Sequence, residues 1–295
     1  MNWNGVIPAI TTPFLEDMSV DHEFFAKHCQ WQIENGCSGV VALGSLGEGA
    51  TLTFEEKEAV LKTAVKAIGP NSPVVAGVSA LSTDEAVKIA KMAADAGCSG
   101  LMVLPPYVYC GDWREMKAHV AAVFQATPLP CMLYNNPVAY KTDFVPEQVC
   151  ELLAEYPTLV AIKESSADVR RVAALRALAG SRLKILVGVD DLIFEAALAG
   201  ASGWIAGLVN AFPAESVALF DASIRGDKVR AFEIYKWFLP MLRMDTVPKF
   251  VQLIKLAQQE VGMGNARVRA PRLELTGAEL AEAKAVIAEA LATRP

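Results

Sequence analysis

Short apolar runs recur along the chain about every 25–30 residues. Each run is almost continuously apolar rather than alternating, which is typical of strands in a parallel sheet that is covered on both faces. Helical patterns separate the runs: residues 53–69 open with Thr53 and glutamates, and residues 82–97 open with Ser82 and close with Gly97. The runs are GVIPAI (5–10), GVVALG (39–44), VVAGVS (74–79), GLMVLP (100–105), PCMLYN (130–135), VAIKES (160–165), KILVGV (184–189) and GWIAGL (203–208).

Eight successive strand-and-helix units predict an α/β fold, a (β/α)8 TIM barrel rather than a doubly wound sheet. From about residue 227 onward the pattern becomes purely helical. We therefore predict a catalytic barrel over residues 1–226 and a C-terminal helical domain over residues 227–295. No low-complexity linker separates the two parts.

The composition argues against nucleic acid and membranes as partners. Of the 295 residues, 53% are hydrophobic, the net charge is −6, and Lys and Arg are scattered rather than clustered. Residues 196–214 are uncharged over a length that a membrane span would need. Glycines divide this stretch, and Asn210 and Pro213 close it, so a buried helix end followed by a buried strand is the better prediction.

The cysteines and the N-terminus indicate a cytoplasmic protein. The six cysteines form no CxxC pair and lie mostly in apolar or helical surroundings, as reduced core thiols do. The N-terminal residues MNWNGVIPAITTPF contain no basic region followed by an apolar one, so they predict no signal peptide.

Lys163 is the most informative single residue. It lies near the end of the sixth predicted strand, and barrel active sites lie at the carboxyl ends of the strands. Removal from water favours the neutral form of an amine, which can attack a ketone and form a Schiff base. The adjacent Glu164 points to the opposite face of a strand and is a poor ion-pair partner. We predict Lys163 as the nucleophile; the alternative is a lysine that extends to solvent.

Two further strand ends carry candidate groups. Tyr134 ends the fifth strand, beside Lys163, where a phenol could move protons to and from the carbinolamine. The second strand ends in GSLGE, a tight loop that contains Ser45, Leu46 and Gly47. Its backbone N–H groups, with the Ser45 hydroxyl, could hold a substrate carboxylate.

Other kinds of site lack their residues. The histidines at 22, 28 and 119 fall in helical patterns, and no cluster has the spacing of metal ligands. The seventh strand ends in Asp190 and Asp191 instead of a phosphate-binding loop, which disfavours phosphorylated substrates. No GxGxxG motif follows a strand. We therefore predict no metal and no cofactor besides the lysine itself.

Taken together, the motifs resemble one family over nearly the whole chain. GVIPAITTPF, GSLGEGATLTFEEK, YNNP, IKES and GLVNAFP are similar to segments of the dihydrodipicolinate synthase / N-acetylneuraminate lyase family of class I aldolases. The resemblance implies a barrel with a C-terminal helical domain, usually assembled as a homotetramer that is a dimer of dimers. It also implies that a lysine, here Lys163, forms a Schiff base with a small 2-oxo acid such as pyruvate.

The resemblance also implies roles for individual residues. Tyr134 would be the proton shuttle, and Ser45 with the Leu46 backbone would bind the substrate carboxylate. Ile205 matches a residue that lines the pyruvate pocket. Tyr107 matches a tyrosine that in some members reaches into the neighbouring subunit's site.

Two departures from the family pattern bear on the substrate. Dihydrodipicolinate synthases carry two threonines where this chain has Ser45 and Leu46, and sialic acid lyases prefer Ser-Thr there. Synthases also carry an arginine two residues after the proline of YNxP, which binds the aldehyde substrate's carboxylate. Ala139 occupies that place here and offers no guanidinium.

The Gly-Ser-apolar-Gly loop, VGVDD and GLVNAFP look more like the catabolic members of the family. The chain most resembles 1-pyrroline-4-hydroxy-2-carboxylate deaminase, which would yield 2-oxoglutarate semialdehyde. The alternatives are 4-hydroxy-tetrahydrodipicolinate synthase, 4-hydroxy-2-oxoglutarate aldolase and a keto-deoxy sugar acid dehydratase or aldolase. A non-catalytic keto-acid sensor would lack the proton relay, and Tyr134 argues against it. The polar candidates for contacting the distal end of the substrate, each of which could instead be structural, are Asn136, Lys141, Asp190 and Asn210.

Overall fold

The eight predicted runs all form strands. The computed structural model describes residues 1–295, and its strands pair in parallel around a nearly closed barrel. An isolated parallel bridge between Ala9 and Val41 joins the first strand to the second. The prediction of a (β/α)8 barrel is therefore confirmed. The strands are β1 (Gly5–Pro8), β2 (Val40–Ala42), β3 (Val74–Val78), β4 (Gly100–Val103), β5 (Cys131–Asn135), β6 (Leu159–Glu164), β7 (Lys184–Val187) and β8 (Gly203–Ala206).

Helices alternate with the strands and continue after them. The Thr53 side chain accepts from the backbone of Glu56 and the Glu56 side chain accepts from the backbone of Thr53, so the predicted helix starts with a complete capping box. At the start of the next helix, the Ser82 hydroxyl accepts a hydrogen bond from the backbone of Glu85. The helices are α1 (His22–Glu34), α2 (Phe54–Ile68), α3 (Thr83–Asp95), α4 (Trp113–Phe124), α5 (Pro137–Tyr140), α6 (Pro146–Glu155), α7 (Arg170–Ala179), α8 (Ile193–Leu198), α9 (Pro213–Ile224), α10 (Lys228–Leu242), α11 (Phe250–Glu260) and α12 (Gly277–Ala292).

The uncharged stretch over residues 196–214 folds as the sequence predicts. It contains the end of α8, all of β8 and the start of α9. No helix of the protein combines the length and the apolar character that a membrane crossing needs. All six cysteines are free; Cys110 is exposed, which departs from the expectation that they are core thiols.

Side chains on each strand alternate between the barrel interior and the helical layer. On β8, Ile205 packs in the interior with Tyr134, whereas Trp204 and Ala206 pack in the core between strands and helices. On β6 the interior position next to Lys163 is Ala161. Polar groups at the interior positions therefore collect at the carboxyl ends of the strands.

The C-terminal segment closes part of the barrel's open end. Val251 and Ile254 of α11, together with Val268, belong to the same apolar cluster as the interior residues Leu46 and Ile205. The helices after residue 227 thus contribute to the core of the barrel itself and do not form an independent core. This contact brings the C-terminal segment to the edge of the strand ends.

A buried ion pair fixes that contact. Lys255 of α11 donates to Glu48, which follows the GSLGE loop's second glycine, over 2.6 Å, and the two side chains are 2% and 0% exposed. Lys255 also donates to the Arg267 carbonyl, and Glu48 accepts from the Arg269 backbone. Burial lowers the pKa of Lys255 to about 8, against the opposing effect of Glu48.

We expect loss of this pair to destabilise the fold strongly. Lys255→Met leaves the buried Glu48 carboxylate without its cation, which should cost about 3–5 kcal/mol of unfolding free energy. Urea denaturation measures the change. The matched control is Lys249→Met, which breaks the exposed pair with Glu279 and should cost less than about 1 kcal/mol. Equal losses in the two variants would contradict the role given to the buried pair.

Candidate active site

Lys163 lies in the barrel interior without an anionic partner. Its side chain is 7% exposed, and no carboxylate lies within salt-bridge distance of its Nζ atom. Tyr134 is its direct neighbour in the sheet register, and Lys163 Nζ lies 4.2 Å from the centre of the Tyr134 ring. Glu164 points the other way, as predicted, where it accepts from Asn135 and from the Ser166 backbone.

Tyr140 joins the two predicted parts of the site. Its hydroxyl hydrogen-bonds to Ser45, and its ring contacts the edge of Tyr134 with 5.7 Å between ring centres. Burial, then the nearby phenols of Tyr134 and Tyr107, raise the pKa of Tyr140 far above its usual value, although the bond to Ser45 opposes this. Ser45 thus contacts Tyr140 rather than Tyr134, whose hydroxyl accepts from Asn136 over 3.1 Å.

Sequence reasoning missed Tyr140. The residue lies three positions after Pro137, at the end of the one-turn helix α5, where the apolar and polar pattern carries no sign of a function. The only feature of the sequence that could have indicated Tyr140 as a site residue was the presence of a phenol near the YNNP segment. The short helix, which Asn136 caps, turns the ring back over the strand ends.

The GSLGE loop has the geometry of a carboxylate cradle. The backbone N–H groups of Leu46 and Gly47 donate to no acceptor within the protein, while the neighbouring Glu48 N–H donates to Ser45 O. Gly47 must lack a side chain, because a Cβ atom there would lie 2.8 Å from the Ile10 carbonyl oxygen. The Leu46 side chain is buried beside Ile205 in the barrel interior. The loop therefore keeps two N–H donors that could bind a substrate carboxylate.

Tyr107 stays in its own chain's site. Its ring contacts Tyr140, with 5.7 Å between the ring centres. The residue of this loop that projects from the protein is instead Val108, which is 96% exposed and has a φ angle of 72°.

Asp190 and Asn210 are buried, and their side chains form hydrogen bonds within the protein. The Asp190 carboxylate accepts from Trp204 Nε1 and from the backbone of Gly207 and Leu208. Burial raises the pKa of Asp190 to about 6, although these hydrogen bonds oppose the rise. Asn210 donates to the Ala9 and Gly207 carbonyls. Both side chains hold the end of β8 in place, and neither presents a free group to a ligand.

Asn136 and Lys141 lie on the short segment after β5. Asn136 caps α5 and donates to the Tyr134 hydroxyl, so it touches the site through that phenol. Lys141 is exposed, and its Nζ donates to the Val138 carbonyl over 3.0 Å. Ala139 is exposed, and the cation beside it is Lys141, whose Nζ lies at the carbonyl of the Val138–Ala139 peptide.

The arrangement suits covalent chemistry on a 2-oxo acid. The unpaired amine of Lys163 faces a phenol, and a nearby loop offers free N–H donors for a carboxylate. No group of three or more His, Cys, Asp or Glu side chains could hold a metal ion.

Comparisons with known proteins agree with this chemistry. The model of the dihydrodipicolinate synthetase family matches residues 2–290. A 4-hydroxy-tetrahydrodipicolinate synthase from Agrobacterium fabrum is 32% identical over 91% of this chain and 92% of its own. The 4-hydroxy-tetrahydrodipicolinate synthase of Methylacidiphilum fumariolicum SolV superposes with a TM-score of 0.95 at 26% identity, over 99% of this chain and 97% of its own.

A third similar structure contains pyruvate. It is YagE, a prophage protein of the dihydrodipicolinic acid synthase family from E. coli K12, with a TM-score of 0.92 at 27% identity over 98% of this chain and 99% of its own. The match to the family model spans almost the entire chain. This protein therefore belongs to the dihydrodipicolinate synthetase family, whose members are aldolase-type lyases that act through a lysine Schiff base.

Proposed function

We propose that the protein is a lyase for 1-pyrroline-4-hydroxy-2-carboxylate, which it converts to 2-oxoglutarate semialdehyde and ammonia, with Lys163 as the Schiff-base residue. The observation that carries the proposal is the buried, unpaired Lys163 amine against Tyr134. The choice of substrate is supported by Ala139, which stands where synthases carry an arginine, and by Lys141, whose Nζ donates to the Val138 carbonyl. A second carboxylate on the substrate would find no bidentate partner there.

The reaction follows from attack by the Lys163 nitrogen on C2 of the cyclic imine. The bond from C2 to the ring nitrogen breaks, and the ring opens to a primary amine. Loss of a proton from C3 gives an enamine, whose electron pair expels the hydroxyl from C4 as water once that group is protonated. Proton transfers from C5 to C3 and from nitrogen to C4 then move the double bond to C5 and nitrogen.

Hydrolysis of the two imines completes the turnover. One releases ammonia from C5, and the other frees the semialdehyde from Lys163. Overall, one imine and one water give one semialdehyde and one ammonia. Tyr134 would carry protons at the lysine carbon, because it is the phenol next to Lys163 in the sheet. Leu46 and Gly47 would hold the carboxylate through their free N–H groups.

The second candidate is 4-hydroxy-tetrahydrodipicolinate synthase, which condenses pyruvate with aspartate semialdehyde. The names of the relatives favour this activity over the deaminase. It uses the same lysine and the same carboxylate loop, and it differs in needing a binding group for the aldehyde's carboxylate. The same experiment can therefore compare both candidates.

We expect borohydride, added with substrate, to leave a reduced adduct on Lys163, which mass spectrometry of the intact protein and its peptides detects. The panel contains pyruvate, the hydroxy-pyrroline carboxylate, 4-hydroxy-2-oxoglutarate and keto-deoxy sugar acids, with ammonia release followed in parallel. Lys163→Ala should abolish the adduct and turnover. Lys184→Ala, at the other end of a barrel strand, should retain both.

The outcomes separate the candidates. An adduct with ammonia from the pyrroline supports the deaminase. An adduct with pyruvate, followed by condensation with aspartate semialdehyde and no ammonia from the pyrroline, supports the synthase. An adduct that persists in Lys163→Ala would contradict the proposed nucleophile.

Tyr140→Phe should impair turnover while it leaves the fold intact. The change removes the hydroxyl that contacts Ser45, and we expect kcat to fall about 10²-fold, the lower end for a group that transfers protons, because Tyr134 stays in place. Steady-state kinetics measures the loss. Tyr109→Phe, which removes an exposed hydroxyl bonded to Glu115, is the control and should be unchanged. Equal rates for both variants would exclude Tyr140 from the relay.

We also propose that a second copy of the chain covers the loops after β3, β4 and β5, in a homotetramer of the kind common in this family. Large apolar side chains are exposed on these loops, namely Leu81, Val108, Tyr109 and Val138. Side chains of this size on neighbouring loops form an apolar patch that water does not favour.

Val108→Asp should therefore weaken self-association. A charge at the most exposed apolar position would have to be desolvated at the interface. Sedimentation velocity should show a smaller species than the unsubstituted chain forms. Leu273→Asp introduces the same charge at another exposed leucine and should not change the mass of the assembly. A monomeric unsubstituted protein would refute the assembly.

A further inference from the structure

Asp245 brings a carboxyl group from the C-terminal segment to the open end of the barrel. It lies in the single turn Arg243–Thr246 between α10 and α11. A Cβ atom on Gly207 would lie only 2.7 Å from Asp245 Cγ and 2.9 Å from the Ile254 side chain. Ile254 belongs to the same interior cluster as Ile205, so position 207 borders the barrel interior just after β8. The Asp245 carboxyl thus occupies the place that a side chain at position 207 would take.

This carboxyl has no partner in the protein. It forms no hydrogen bond and no ion pair, in contrast to Asp190, which accepts from three groups. The residue is half-buried. Burial first, and the Asp190 carboxylate second, raise the pKa of Asp245 well above the usual aspartate value, while Lys163 opposes the rise. A carboxyl whose pKa is raised in this way keeps its proton to a higher pH than a solvated aspartate does.

A second polar group without a partner lies near Lys163. Ser165 is 2% exposed, and its hydroxyl has no hydrogen-bond partner. The hydroxyl lies against Gly188, where a Cβ atom would also be only 2.8 Å from Lys163 Cγ. Ser165 and Lys163 thus occupy the place of a side chain at Gly188, as Asp245 and Ile254 occupy it at Gly207. A ligand with polar groups beyond its reacting carbon would give hydrogen-bond partners to the Ser165 hydroxyl and the Asp245 carboxyl.

We propose that Asp245 is the general acid that protonates the hydroxyl leaving C4 of the substrate, a role that rests on the proposed deaminase function. In this step the Asp245 O–H bond breaks and its proton passes to the leaving oxygen. The enamine electron pair forms the new double bond between C3 and C4 as the C4–O bond breaks, and water departs. The Asp245 carboxylate then regains a proton from solvent. A neutral carboxylic acid beside a site of this kind is a known way of supplying a proton at neutral pH.

The test separates the steps before and after loss of the hydroxyl. Asp245→Asn keeps the shape and can donate a hydrogen bond, but it cannot transfer a proton. We expect it to form the borohydride-trapped adduct on Lys163 and to exchange the C3 hydrogens with deuterium as the unsubstituted enzyme does. Ammonia release from the hydroxy-pyrroline should fall about 10²–10⁴-fold. Asp221→Asn, an exposed aspartate at the other end of the barrel, is the control.

The 4-fluoro analogue of the imine provides a readout that a structural role would not give. Fluoride leaves without a full proton transfer, so Asp245→Asn should release ammonia from this analogue at a rate close to that of the unsubstituted enzyme. Gly207→Ala, whose new methyl group displaces the Asp245 carboxyl, should show the same selective loss with the hydroxyl substrate. The backbone at position 207 has a negative φ of −94°, so alanine adds no backbone strain there, and the side chains of Asp245 and Ile254 are what must move.

Three results would overturn the proposal. Asp245→Asn could release ammonia from the hydroxy-pyrroline at the rate of the unsubstituted enzyme. Its rate of ammonia release could also fall equally with the hydroxyl and the fluoro substrates, which would indicate a structural role. The unsubstituted enzyme could also release no ammonia from the hydroxy-pyrroline. In that case the proposed function itself fails and the acid role fails with it, whereas the first two results leave the deaminase activity standing.

Discussion

The buried ion pair between Glu48 and Lys255 is the interaction on which the open end of the barrel depends. A buried ion pair is stable only where further hydrogen bonds help to offset the cost of removing both charges from water. Here Lys255 donates to the Arg267 carbonyl, and Glu48 accepts from the Arg269 backbone. The pair joins the loop after β2 to helix α11. The same loop carries the free N–H groups of Leu46, and the turn before the same helix carries Asp245. One contact thus sets the distance between two walls of the site.

Charge is unevenly compensated within those walls. Lys163 has only the face of Tyr134 beside it, Asp190 has three donors, and Asp245 has none. A substrate with one carboxylate can use the loop after β2, and its hydroxyl or amine can meet the uncompensated carboxyl. A substrate with a second carboxylate would meet no guanidinium at Ala139, and the Lys141 ammonium next to it already donates to the Val138 carbonyl. Under the proposed function, these groups would distinguish substrates by the end that lies away from the reacting carbon.

The sequence allowed prediction of whatever depends on local periodicity. All eight strands, the capped helix after Thr53 and the position of Lys163 at a strand end followed from patterns of a few residues. Tyr140 and Asp245 did not, because a one-turn helix and a C-terminal turn bring them in from segments without any periodic signal. The exposure of Val108 instead of Tyr107 depends on one left-handed residue, which no pattern of apolar positions encodes.

The two glycines at the ends of β7 and β8 give the scaffold unequal freedom to change in evolution. A methyl group at Gly188 would press on the aliphatic stem of Lys163, so selection for the covalent step should keep that position empty. A methyl group at Gly207 would meet only the movable ends of Asp245 and Ile254. A substitution at position 207 could thus remove the elimination step and leave Schiff-base formation intact. Through this one residue, paralogues of a single ancestor could diverge between dehydrating and condensing activities.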